Sequence, residues 1–105
     1  MDVQISQADG VLTARIIEEL AGETSEALRT GVQASLVQSK GTAKELVVDL
    51  AGCPFVDSAG LGCLVGLKAH SGSRKLAFRV SEASAPVRRV IRSMRLDSVL
   101  GLLDD

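Results

Sequence analysis

A chain of 105 residues and 11.0 kDa has room for one core, so residues 1–105 are expected to form a single domain. Hydrophobic residues make up 46% and charged residues 24%, which excludes intrinsic disorder. With no Trp, no Tyr and only Phe55 and Phe78, the chain lacks the stacking platforms that hold single-stranded nucleic acid and the aromatic anchors of tight interfaces.

The formal net charge of −1 gives no bulk attraction to nucleic acid or to an anionic membrane. The charges are unevenly placed: residues 1–52 carry four basic and eight acidic groups, residues 53–105 eight basic and five acidic. Arg88, Arg89, Arg92 and Arg95 lie close together and read as a solvated helix face. Cys53 and Cys63 form no CxxC pair, and with a lone His70 they do not make a zinc site; two reduced thiols acting as small hydrophobes in a cytoplasmic protein are expected. No metal or cofactor is called for. The start MDVQISQADG has neither a basic cluster nor an apolar run, so no signal peptide or membrane anchor is expected.

In chain order, Asp9-Gly10 between two alternating runs, around Val3 and Ile5 and from Val11 to Ile17, predicts an opening β-hairpin. Leu28, Val32, Leu36 and Val37 recur at helical spacing and predict an amphipathic helix from Thr24 to about Ser39. Thr24 is its expected N-cap, Glu26 falls in its first turn, and it ends near Gly41. Leu46 to Leu50 is a short, almost continuous apolar run, the pattern of a parallel strand buried on both faces. Residues 58–70 favour a helix by length, with Leu61, Leu64, Val65 and Leu67 interleaved with Gly60, Gly62 and Gly66. Each glycine costs a helix up to about 1 kcal/mol, which calls for close approach to a sheet or a partner. Ser71-Gly72-Ser73 reads as a turn and Leu76 to Val80 as a strand. Val87, Val90, Ile91 and Met94 mark a helix begun near Pro86, and Leu96 to Leu103 is a short helix or an edge segment. The order predicts a small α/β domain: a mixed sheet opened by an antiparallel hairpin, then alternating helices and strands with right-handed crossovers.

Three chemistries compete for the stretch Val56 to Gly66. A dinucleotide fingerprint requires its glycines to turn straight out of a strand into a helix, but nine residues separate Leu50 from Gly60 and no acidic ribose partner follows. A nucleophile elbow G-x-S-x-G lacks its first glycine, because position 56 is Val. His70 lies twelve residues beyond Ser58, roughly 18 Å along a helix, too far to act as its base. The third possibility needs no catalytic residue in this chain. A helix beginning at Asp57 or Ser58 offers unpaired N–H groups and the positive end of its dipole, so the fold would tolerate a phosphoryl group on Ser58. Such a group adds about −1.5 to −2 charges beside Asp57, on a surface expected to include Ala59, Leu61, Leu64 and Val65, and would repel a partner docked there. The plain alternative is that Asp57 or Ser58 caps the helix.

Residues 46–67, LVVDLAGCPFVDSAGLGCLVGL, closely resemble the central motif of STAS domains, in particular the bacterial anti-anti-sigma factors. The match lies in the strand ending VVDL, the spacer with Phe55 and Val56, and the run DSAGLG from Asp57 to Gly62. The remaining elements follow that family's order along essentially the whole chain. The resemblance implies a regulatory binding protein with no enzymatic activity of its own, an antagonist of an anti-sigma factor that is itself a serine kinase. It implies that Ser58 is the phosphoacceptor, that phosphorylation breaks the complex, and that a metal-dependent serine phosphatase restores it. The implied partner surface comprises Asp57, Ala59, Gly60, Leu61 and Gly62, with Leu64 and Val65 continuing it.

Many members of that family end the second strand with Gly-Glu-Leu-Asp, whereas this chain has Glu18-Glu19-Leu20-Ala21. The missing carboxylate at position 21 keeps a second expectation open, a STAS accessory subunit docked permanently on a bacterial lipid-transport ATP-binding cassette complex.

Overall fold

The computed structural model describes residues 3–102. Strand β1 (Val3–Ala8) and strand β2 (Val11–Ile16) pair antiparallel with Ala8 opposite Val11, leaving Asp9 and Gly10 as a two-residue loop. Both loop residues have positive φ, 53° and 80°, the conformation whose twist matches the strands it joins. Strand β3 (Glu45–Asp49) joins β2 in parallel, and strand β4 (Ala77–Ser81) joins β3 in parallel, giving the order β1-β2-β3-β4. The mixed sheet and the hairpin are those expected from the sequence. Helix α1 (Gly22–Ser39) links β2 to β3, helix α2 (Ser58–Ser73) links β3 to β4, and helix α3 (Ala85–Ser93) follows β4.

One sheet face carries Leu12, Ala14, Ile16, Leu46, Val48, Phe78 and Val80, all buried and joined in the core by Leu28, Val32 and Leu36 of α1, Leu61, Leu64 and Leu67 of α2, and Val87 and Ile91 of α3. On the opposite face Val47 is buried among polar neighbours, where Arg15 meets Asp49 at 3.6 Å and Arg79 meets Glu45 at 3.1 Å. Both faces of β3 are therefore covered at its centre, which accounts for its unbroken apolar run.

Four local expectations are corrected. Helix α1 begins at Gly22, two residues before Thr24 can cap it; Ala21 occupies the cap in extended conformation, and Thr24 lies buried inside the first turn. Glu23 is then the first-turn acid, while Glu26 pairs with Arg29 one turn further on. Strand β3 runs from Glu45 to Asp49, one residue earlier than Leu46 to Leu50. Ser71-Gly72-Ser73 is the last turn of α2 and not a loop: Ser71 is fully buried, and packing outweighs the turn-forming preference of the tripeptide. The helix ends as Lys75 adopts a φ of 59°. Beyond α3, Leu96 to Leu102 combines the two alternatives set out for it, as far as the described residues reach. Leu100 N–H donates to Leu96 O at 2.8 Å in a helical turn, and Val80 N–H donates to Leu100 O at 2.9 Å, closing the outer edge of β4. Position 103 lies outside the described residues.

The two sheet faces differ in what they contribute. Leu46→Ala removes a fully buried side chain and is expected to cost about 2–5 kcal/mol in urea denaturation. Arg79→Ala, which breaks a part-exposed ion pair, is expected to cost less than about 1 kcal/mol.

Candidate functional site

The residues between β3 and α2 are tied to the chain that leaves β2. Leu20 N–H donates to Phe55 O at 2.9 Å, Asp57 N–H donates to Leu20 O at 3.3 Å, and Leu20 and Val56 form an isolated parallel bridge. This short pairing fixes where α2 begins. Asp57 is its N-cap: the backbone is extended, Oδ1 accepts the Gly60 N–H at 2.8 Å, and Asp57 O accepts the Leu61 N–H at 2.9 Å. The cap therefore belongs to Asp57, and Ser58 is the first helical residue. Ser58 is exposed, and its hydroxyl makes no hydrogen bond among the described residues.

Gly60 answers the demand for close approach. A methyl group there would overlap the carbonyl oxygen of Leu20 and stand 2.9 Å from Val56 Cγ1, so only glycine lets the first turn of α2 rest on the Leu20 backbone. Gly62 is different, because a methyl group at that position meets nothing within 4 Å.

The surface expected around Ser58 is only partly at the surface. Gly60 is buried, Leu61 is 7% exposed and Leu64 is fully buried, because the spacing 60, 61, 64, 67 faces the core. Asp57 is half-buried, and the accessible stripe consists of Ser58, Ala59, Gly62, Val65 and Gly66. Sequence reasoning missed Phe55 and Ile17 as members of this surface. Both are large apolar side chains left more than two-fifths exposed, beside the Leu20–Val56 bridge. Half of the aromatic residues of an aromatic-poor chain thus lies three positions from Ser58, a signal present in the composition.

The thiols flank the same region. Cys53 Sγ donates to Phe55 O at 3.2 Å and Cys63 Sγ to Ser25 O at 3.3 Å. Burial pushes both thiols up from their ordinary value, which holds them neutral and poorly nucleophilic at physiological pH. They remain unpaired with one another, as small apolar fillers. His70 sits near the far end of α2, separated from Ser58 by more than three turns of helix. Among the described residues no group of His, Cys, Asp or Glu could hold a metal, and no helix is long and apolar enough to cross a membrane.

An α/β sheet opened by a hairpin, with DSAGLG starting a helix against the end of β2, defines the STAS class of domain. Residues 1–104 match the family model described as "Mlab, STAS domain", and the chain belongs to that family. It is 23% identical over 105 residues to an anti-sigma F factor antagonist of Paenibacillus polymyxa, covering all of this chain and 88% of that protein. An anti-sigma factor antagonist from Mycobacterium paratuberculosis superposes with a TM-score of 0.82 at 26% identity, covering 98% of this chain and 85% of the other. The Bacillus cell fate determinant SpoIIAA in its phosphorylated form superposes with a TM-score of 0.73 at 18% identity, over 98% of this chain and 90% of that one.

The two glycines give opposite expectations. Gly60→Ala forces α2 off Leu20 and is expected to destabilise the fold by about 1–3 kcal/mol or more. Gly62→Ala, exposed and unobstructed, is expected to stabilise it by about 0.4–1 kcal/mol; thermal melts of the pair check the sign of each. The missing acid at position 21 is likewise legible in stability. Ala21 has cap geometry but no side-chain acceptor, so Ala21→Asp is expected to add about 1 kcal/mol to unfolding in urea.

Proposed function

We propose that this protein is an anti-sigma factor antagonist switched by phosphorylation of Ser58. Unphosphorylated, it binds an anti-sigma factor that is also a serine kinase, and a sigma factor is released. The kinase transfers the γ-phosphoryl group of ATP to Ser58 Oγ: the new O–P bond forms as the bond to ADP breaks, and the hydroxyl proton passes to a base on the kinase. A serine phosphatase hydrolyses the ester and returns the protein to its binding form.

One observation carries this reading. Because Asp57 takes the capping role, Ser58 presents an uncommitted, exposed hydroxyl at the first position of a helix. In the free domain the added charge sits at the positive end of the α2 dipole and keeps its hydration. In a complex it would be pressed against a partner covering Phe55, Ala59, Gly62 and Val65, where desolvation and the nearby Asp57 carboxylate oppose it. The same modification is therefore tolerated by the fold and disfavoured in the interface. The names of the Paenibacillus and Mycobacterium relatives and the phosphorylated form of SpoIIAA support the reading.

Ala21 favours a second reading, a STAS accessory subunit of a lipid-transport ATP-binding cassette complex that docks through the same stripe without a phosphorylation cycle. Incubation with the cognate anti-sigma kinase and ATP is expected to add one phosphoryl group, located at Ser58 by peptide mass. Ser58→Asp is expected to weaken binding of the anti-sigma factor by about tenfold or more, while Ser58→Ala stays bound in the presence of ATP. Copurification with an ATP-binding cassette subunit, unchanged by either substitution, would favour the second reading.

A further inference from the structure

We infer that the groove between helices α1 and α2 seats an uncharged helical face of the anti-sigma factor, which packs on the bare backbone of Gly62 and Gly66 and gives the Ser25 hydroxyl its missing hydrogen bond. The docking surface thus extends from the start of α2 along that helix and across to α1; for the identity of the partner it rests on the function proposed above. The groove has a volume of about 350 Å³, and its lining includes Ser25, Glu26 and Arg29 of α1 with Gly62, Cys63 and Gly66 of α2. Cys63 Sγ donates to Ser25 O at 3.3 Å, which ties the two helices to one another there.

Two independent observations point to an occupant. The first is a pair of glycines that the domain itself does not need. Gly62 and Gly66 are exposed interior positions of α2, where only proline is a poorer helix former, and a methyl group at either would meet nothing within 4 Å. Contact with Leu20 accounts for Gly60 but not for these two. Four residues apart, they share one helix face with the exposed Ala59 and let another chain approach with no side chain between.

The second observation is Ser25. It is 7% exposed, and its Oγ is buried with no hydrogen-bond partner among the described residues. Helical serines elsewhere donate to the carbonyl three residues back, Ser39 to Leu36 O at 2.9 Å and Ser73 to His70 O at 2.7 Å; Ser25 does not. Ser71, also without a partner, is sealed in the core at 0% exposure, whereas Ser25 lines the groove. An unmet hydroxyl is costly in the free domain and favours whatever supplies its partner. A turn about χ1 between staggered positions lets it meet an occupant without moving the backbone.

The lining selects the kind of occupant. Glu26 pairs with Arg29, so the two charged groups neutralise each other and a charged ligand gains no counter-ion from them. An extended segment would bring several backbone N–H and C=O groups in need of partners, against the one hydroxyl of Ser25. A helix satisfies its own backbone and needs only one polar side chain to meet Ser25, with small or aliphatic side chains elsewhere on that face to lie over the glycines. Ala59 to Gly66 covers roughly 10 Å of α2, about two turns of such a helix.

The test measures calorimetric binding of the cognate anti-sigma factor and its kinetics of Ser58 phosphorylation, with variants that leave Ser58 intact. Gly66→Leu fills the groove and is expected to weaken binding about tenfold or more, raising the KM of the kinase for this protein while kcat stays within about twofold. Ser25→Ala is expected to weaken binding about three- to tenfold while its melting temperature is unchanged or higher, because the lost hydroxyl was unpaired in the free domain. Gly72→Leu, equally exposed and unobstructed near the other end of α2, is expected to bind as the wild type does. Wild-type affinity in Gly66→Leu or Ser25→Ala, or an equal loss in Gly72→Leu, overturns the inference and leaves the proposed function standing. A dimer of this protein alone that Gly66→Leu dissociates assigns the groove to a second copy and overturns it as well. Failure of the wild-type protein to bind the kinase overturns the proposed function and the inference together.

Discussion

The site depends on the contact between one backbone residue, Leu20, and the first turn of α2. The Leu20 N–H and carbonyl each bond to the segment before that helix, and the same carbonyl is the surface on which Gly60 rests. Leu20 follows β2 closely and is fully buried. The helix start is thereby referenced to the sheet and not to a free loop, and Ser58 inherits a fixed position from the core. Two backbone hydrogen bonds and one absent methyl group hold that arrangement. Interior packing makes such a contact discrete: the helix either sits on Leu20 or must move as a body.

Division of labour between adjacent residues follows from it. Asp57 uses its carboxylate on the Gly60 N–H, so stability is assigned to one side chain and the free hydroxyl to the next. Were Ser58 the cap, its oxygen would be committed to the backbone and a phosphoryl group there would cost a helix end. The buried side of α2 is equally separated from the exposed side, with Leu61, Leu64 and Leu67 in the core and Ala59, Gly62 and Val65 outside. The exposed stripe is small-residue surface at one helix end. Under the proposed switch, one added phosphate would change the character of so modest a surface more than it would a broad aromatic interface.

Much of the architecture was legible because periodicity and turn chemistry agree with the tertiary answer. Asp9-Gly10 specified its hairpin by the positive φ both positions accept, and the apolar run around Val47 announced a strand covered on both faces. Misreadings occurred where polar residues have two uses. Thr24 looks like an N-cap in isolation, but the chain becomes helical at Gly22 and draws it into the first turn; Ser71 looks like a turn residue and is buried in a helix. The burial of Leu61 and Leu64 was implicit in their spacing, yet their proximity to DSAGLG drew them into the expected docking surface.

The near-neutral, aromatic-poor sequence by itself determined the class: a small α/β core with a hairpin-opened sheet, and a serine placed in DSAGLG. Those properties reside in composition, periodicity and a contiguous motif, which need no partner across space to be read. Only the tertiary structure decided that Gly60 is indispensable while Gly62 is not, that Asp57 rather than Ser58 caps α2, and that Phe55 and Ile17 are left exposed. Each of these follows from where the Leu20 segment meets the loop before α2, a contact between residues more than thirty positions apart whose geometry no local pattern encodes.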